Sequence, residues 1–152
     1  MNTEPEDSGS VRHEPLGQGE SVSASQRWWD AEAPSYYREH GEQLGDVRLS
    51  WGPEQVTEAE LGVLGPLEDR DVLEFGAGSG QGARWCSDQG ARAIASDLSL
   101  EMLRIGQHID QEQGVAPDGY VTADAAGLPF ADESFDVAFS AYGALPLSLI
   151  RI

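Results

Sequence analysis

The sequence has a single cysteine, Cys86, in 152 residues. No disulfide can form within the chain, which suits a reducing cytoplasm. Cys86 falls in an expected helix after a glycine loop, where a small buried apolar residue is a simpler reading than a reactive thiol. Basic residues are scarce too: nine Lys and Arg stand against 27 Asp and Glu, a formal net charge of −18. Such a surface repels phosphate backbones and anionic head groups, so no nucleic-acid or membrane partner is expected and a small or cationic substrate fits better. The same charge also serves solubility. No apolar run is long enough to span a bilayer, and the N-terminus has no apolar signal core. The three histidines, His13, His40 and His108, are scattered and share no ligand spacing with Cys86, so no metal site is expected.

Large apolar side chains are sparse over residues 1–26, where Glu, Ser, Gly and Asp dominate. That composition buries too little surface to offset its ordering entropy and reads as a disordered acidic tail. Residues 27–66 read as a helical segment. A broken helix is expected from Ser25 to Gly45, with aromatic character from Trp28, Trp29, Tyr36 and Tyr37, and with Pro34 interrupting it or starting its second part. A second short helix is expected from Pro53 to Leu64, with Val56, Leu61 and Leu64 in the core and Gly65-Pro66 ending it.

Beyond this point strands alternate with helices. Strands are expected at Asp71–Phe75, Ala91–Ser96, Tyr120–Ala123 and Phe135–Ala141, the first and last nearly continuous in apolar residues, as a sheet covered on both faces requires. Helices are expected at Gln81–Gln89 and Ser99–Gln113. In the second, Ser99 is placed to cap, Glu101 suits the positive end, and Met102, Ile105 and Ile109 share a face. The alternation predicts a doubly wound, Rossmann-like α/β fold built on a parallel sheet of about four strands.

The most informative stretch is Glu74-Phe75-Gly76-Ala77-Gly78-Ser79-Gly80, which follows a strand and opens a helix. Glycines there allow a sharp turn and close approach of a ligand to the backbone. The carboxylate at Glu74 would repel a pyrophosphate and favour a ligand with a positive centre and an amino group. About twenty residues later Asp97 ends the second strand, where a carboxylate can accept from both ribose hydroxyls or help to cap the next helix. Asp124-Ala125 ends the third strand, placed either to read an adenine edge or to make a solvated turn.

These blocks, with Asp97-Leu98-Ser99, Met102, Leu128-Pro129-Phe130 and Ser134-Phe135-Asp136-Val137 in order, resemble the class I S-adenosylmethionine-dependent methyltransferases, and within them the type 11 branch. The resemblance covers roughly Trp28 to Leu145. It implies an S-adenosyl-L-methionine cofactor and a small-molecule methyl acceptor. It also implies that Glu74, Gly76, Gly78 and Gly80 surround the methionine part, that Asp97 binds the ribose, and that Leu98 and Met102 pack on the adenine or ribose. Asp124 and Ala125 would read the adenine edge, and Ser140 would lie near the sulfonium. The aromatic segment resembles a lid, with Tyr36, Tyr37 and Trp51 as candidates for contact with the ligand, although core packing explains those rings as well. Tyr142 is expected as a pocket wall, and no catalytic base is identified.

On this reading residues 67–145 form the cofactor-binding domain and 146–152 an atypical tail, as if the fold were cut short. The fourth strand would then be an open edge that invites self-association. A second reading takes Gly78-Ser79-Gly80-Gln81-Gly82-Ala83 as the loop of a dinucleotide-binding oxidoreductase with Asp97 as its ribose acid; a third is a non-catalytic remnant.

Overall fold

The computed structural model describes residues 17–142. The expectations for the tail residues 1–16, for 143–145 and for the atypical segment 146–152 lie outside them. Ten elements are present: α1 (Gln18–Leu44), β1 (Ser50–Trp51), β2 (Val56–Thr57), α2 (Glu58–Leu61), β3 (Asp71–Phe75), α3 (Gln81–Asp88), β4 (Arg92–Asp97), α4 (Leu100–Gln113), β5 (Gly119–Thr122) and β6 (Val137–Phe139).

The four later strands form one parallel sheet in the order β5-β4-β3-β6. The chain steps outward from β3 to β4 to β5 and then returns across β3 to β6. Strand order therefore reverses beside β3, and an open α/β sheet offers its ligand crevice at such a reversal, outside the carboxyl ends of the strands. Register aligns those ends: Phe75 lies beside Ser96, Asp97 beside Thr122, and Glu74 beside Phe139. The carboxylates singled out in the sequence thus gather at one edge.

Alternation divides the sheet residues between faces. Val72 and Ala93 are fully buried and share a core with Ala83 and Cys86 of α3, Ala91 and Phe139. Full burial of a Val- or Leu-sized side chain contributes roughly 1.5–3 kcal/mol. Cys86 is therefore a packing residue, and burial pushes its thiol pKa up, away from reactivity.

The helices α3 and α4 are tied side by side by one fully buried arginine. Arg84 donates from Nε to Asp110 (2.6 Å) and from Nη2 to the carbonyls of Ser79 (2.9 Å) and Gly106 (3.0 Å) and to the Tyr120 hydroxyl (3.0 Å). From Nη1 it donates to the carbonyl of Asp46 (2.6 Å). This pairing explains a charge with no exposed surface, since an unpartnered guanidinium there would be strongly destabilising.

Strand and helix positions from β3 to β5 match the sequence expectation within one residue. Ser99 caps α4, accepting the Met102 N–H at 3.2 Å. Met102 and Ile109 are buried as expected, and Ile105 is half-buried. The last strand is shorter than Phe135–Ala141, because only Val137 to Phe139 pair with β3.

Three expectations for the N-terminal part are corrected. The first helix begins at Gln18, inside the stretch whose composition suggested a tail, with Glu20 accepting the Gly17 N–H at 3.2 Å. Pro34 does not interrupt it. The helix packs along α4, burying Ala33 and Leu44, and that packing outweighs the one backbone hydrogen bond that proline forfeits. The helix expected at Pro53–Leu64 is instead an antiparallel pair, β1 with β2, followed by a single helical turn. The missed signal is Thr57-x-x-Glu60: Glu60 accepts from the backbone N–H and the hydroxyl of Thr57, at 2.9 and 2.7 Å, and starts the turn at residue 58. Val56 and Leu61 are consequently exposed rather than core, while Leu64 packs against the core.

Candidate functional site

The loop after β3 forms the floor of the crevice. Gly76, Gly78 and Gly80 all adopt positive φ, at +62°, +57° and +77°, a conformation that side chains resist. The Ala77 N–H donates to the carbonyl of Ser96, so the loop is pinned to the tip of β4. Met102 lies against it: a Cβ at residue 78 would meet the Met102 methyl at 3.3 Å.

Asp97 is the link between strand tip and loop. One oxygen accepts the Gly78 N–H and the other the Ser99 N–H, both at 2.8 Å. Burial raises its pKa, and the backbone hydrogen bonds oppose that shift. Asp97 thus braces the start of α4 and stands at the mouth of the glycine loop. Leu98 beside it is half-buried.

Glu74 sits deeper than the sequence suggests. It is 2% exposed, and its Oε2 accepts the Ala83 N–H at 2.6 Å. Burial pushes its pKa up to about 8. It faces the first turn of α3 under the loop and can shape the cradle from below. The Ala83 N–H, which a dinucleotide phosphate at this helix end would approach, is already taken by a carboxylate.

Asp124 accepts the Ala126 N–H at 3.0 Å, a turn closed by its own side chain, and both Asp124 and Ala125 are half-buried past the end of β5. Ser140 follows β6, and its hydroxyl is buried without a partner. Another such hydroxyl, that of Ser96, lies at the tip of β4. Among the described residues no cluster of three metal-ligating side chains occurs, and no helix is long and apolar enough to cross a membrane.

The aromatic segment divides. Tyr36 stacks on His40 with ring centroids 4.5 Å apart and meets Trp29 edge-on at 5.7 Å. Tyr37 turns away to donate to Asp46 at 2.8 Å. Trp51 belongs to the core: its ring packs edge-on against Phe139 at 5.8 Å, and its Nε1 donates to the buried Glu58 at 2.8 Å. A residue the sequence reading passed over, Asp30, fastens α1 to the site. Its Oδ1 accepts the Ser99 hydroxyl at 2.7 Å and the Glu101 N–H at 3.2 Å, beside Asp97. Nothing in the local sequence marks it, because its partners are 69 and 71 residues away.

Comparison with known proteins agrees with this geometry. The methyltransferase-domain family of type 11 matches residues 73–145. The chain is 41% identical over 86 residues to a malonyl-[acyl-carrier protein] O-methyltransferase of Pseudescherichia vulneris, covering 57% of this chain and 32% of that protein. It is 35% identical over 98 residues to a demethylmenaquinone methyltransferase of Thermobifida fusca, covering 62% and 41%. The chain thus spans well under half the length of these relatives. Among solved structures, a phosphoethanolamine N-methyltransferase of Haemonchus contortus with S-adenosylhomocysteine superposes with a TM-score of 0.59 at 18% identity, over 82% of this chain and 26% of that one, a likeness of fold. The dinucleotide-oxidoreductase reading finds no support in these matches. With its order of strands, its glycine loop and these relatives, the segment 73–145 matches the methyltransferase-domain family and resembles the class I methyltransferases.

Proposed function

We propose that this chain binds S-adenosylmethionine across the carboxyl ends of β3, β4 and β5 and serves methyl transfer to a small organic acceptor. The observation that carries the reading is the position of Asp97, a carboxylate held by hydrogen bonds to both the glycine loop and the start of α4. There it can accept from a vicinal diol with lone pairs that the backbone leaves free.

The other roles follow from position. Gly76, Gly78 and Gly80 leave room for the methionine part to lie against the backbone, and Glu74 holds the loop from beneath. Leu98 and Met102 supply an apolar wall for the adenosine. Asp124 and the Ala125 N–H face the adenine edge, and Ser140 stands on the side of the reacting centre. Bound S-adenosylmethionine supplies an activated methyl group on a sulfonium. The chain's own residues then need only align the acceptor and exclude water. Of the three lid rings, Tyr36 is the one left for ligand contact, since Trp51 packs on Phe139 and Tyr37 bonds to Asp46.

The two curated relatives act, by their names, on a malonyl-acyl carrier protein and on demethylmenaquinone. Those acceptors differ, so the proposal rests at an organic acceptor. A cytoplasmic setting and the absence of nucleic-acid and membrane partners belong to the same proposal, supported by the net charge of −18 and the buried lone thiol. Self-association through β6 is part of it as well, since that strand pairs with β3 alone among the described residues.

Calorimetric titration with S-adenosylhomocysteine and, separately, with NAD tests the reading. Saturable binding of the first and none of the second is the expected result; the reverse order of affinity would overturn it.

A further inference from the structure

Among the described arginines, Arg48 is the one that is half-buried and without a carboxylate partner. Arg70, Arg84, Arg92 and Arg104 form ion pairs, while Arg27 and Arg38 are exposed. Arg48 instead uses Nη2 on one residue, donating to the backbone carbonyl of Gln55 at 3.3 Å and to its side-chain oxygen at 3.1 Å. Its Nε is buried with no partner. A buried N–H of a cation left unpaired is unfavourable, and the chain has 27 acidic residues from which a partner could have come.

Gln55 is itself unusual. It adopts φ +62°, where a residue with a side chain is strained, and such strain concentrates at ligand sites. In that conformation its Nε2 donates to the Tyr142 hydroxyl at 3.3 Å, a contact spanning 87 residues. Tyr142 lies three residues past β6, and two residues before it is Ser140 with its unpartnered buried hydroxyl. The series Arg48, Gln55, Tyr142 therefore leads from the connection between α1 and β1 to the carboxyl tip of the strand beside β3. Donors outnumber acceptors along it: the Arg48 Nε–H, the Ser140 hydroxyl and the Tyr142 hydroxyl all remain available to donate. The nearby carboxylates of Glu54 and Glu60 are exposed and make no ion pair with Arg48 among the described residues.

We propose that Arg48, Gln55, Tyr142 and Ser140 form an acceptor subsite for an organic carboxylate. This rests on the methyl-transfer reading and narrows its acceptor class. With Nη2 held by Gln55, the Nε–H and Nη1 of this fixed cation are left to meet a carboxylate, and the hydroxyls complete the shell. The subsite also fits a mechanism without a general base. An oxygen that arrives ionised has no proton to lose as it bonds to the methyl carbon, while the carbon–sulfur electron pair stays on sulfur.

The test is a fluorine NMR titration of the full chain, saturated with S-adenosylhomocysteine, with trifluoromethylbenzoate and with its neutral amide. The benzoate should bind at least tenfold more tightly than the amide. Arg48→Gln should abolish that preference and Arg48→Lys should keep part of it, with S-adenosylhomocysteine affinity unchanged in both. Equal binding of acid and amide to the unaltered chain, or an unchanged preference in Arg48→Gln, would overturn the subsite. The comparison of acid with amide needs no variant, so it decides even if Arg48→Gln fails to fold. Failure of S-adenosylhomocysteine to bind would instead remove the methyl-transfer reading, and the same titration without it would still show whether the carboxylate subsite exists.

Discussion

The Glu74 carboxylate occupies the space that a side chain on Gly82 would need: a Cβ at residue 82 would stand 2.5 Å from Glu74 Oε1. The first turn of α3 can therefore close over the buried carboxyl group only because residue 82 has no side chain. Gly82→Ala should force Glu74 or the helix to shift, with a loss of about 1–3 kcal/mol as in other overpacked cores. Urea unfolding monitored by circular dichroism measures it; a midpoint equal to that of the parent chain would mean that the two groups do not constrain one another.

Glu74 also makes stability depend on pH. Its folded pKa is raised to about 8 from an ordinary value near 4.5. The folded state therefore holds a proton that the unfolded state releases. Its contribution is fully present below about pH 4.5 and is lost as pH rises to about 8. The melting temperature of the parent chain should fall across that interval relative to Glu74→Gln, which cannot ionise. Parallel pH profiles for the two proteins would count against a protonated Glu74.

Asp97→Ala removes the acceptor for the Gly78 and Ser99 N–H groups. Hydrogen bonds to a charged group contribute roughly 1.5–3 kcal/mol each. S-adenosylhomocysteine affinity should drop at least about tenfold, with Asp97→Glu recovering little because the loop fixes the distance. Unchanged affinity by calorimetry would take Asp97 out of the site.

Asp30 joins α1 to the N-terminus of α4 through Ser99 and Glu101. Asp30→Ala should leave the sheet intact and speed amide hydrogen exchange in α1. Protection in β3 and β4 should not change. Equal exchange rates in α1 would show that helix packing alone holds it in place.

Arg84→Ala strands Asp110 and the four other acceptors of the buried guanidinium. The expected loss is about 3–5 kcal/mol, the scale for breaking a buried ion pair from one side. Arg84→Lys should recover only part, since one ammonium cannot reach acceptors spread over the glycine loop, α4, β5 and the loop after α1. Chemical denaturation of the two variants distinguishes this from a simple loss of volume.

The chain order of hydrophobic runs, glycines and acidic residues determined by itself the parallel sheet, the glycine loop and the positions of Asp97 and Asp124, because β3, β4, β5 and their helices obey local periodicity and capping. Where pattern was weak, as at residues 53–64, the left-handed turn at Gln55 and the Thr57–Glu60 cap decided in favour of a hairpin. Only the tertiary structure placed Trp51 in the core, Glu74 under the loop, Asp30 on the start of α4 and Arg48 beside Gln55. Each of those positions is set by partners brought close through packing, and a side chain's burial and charge environment depend on those partners rather than on its neighbours in sequence.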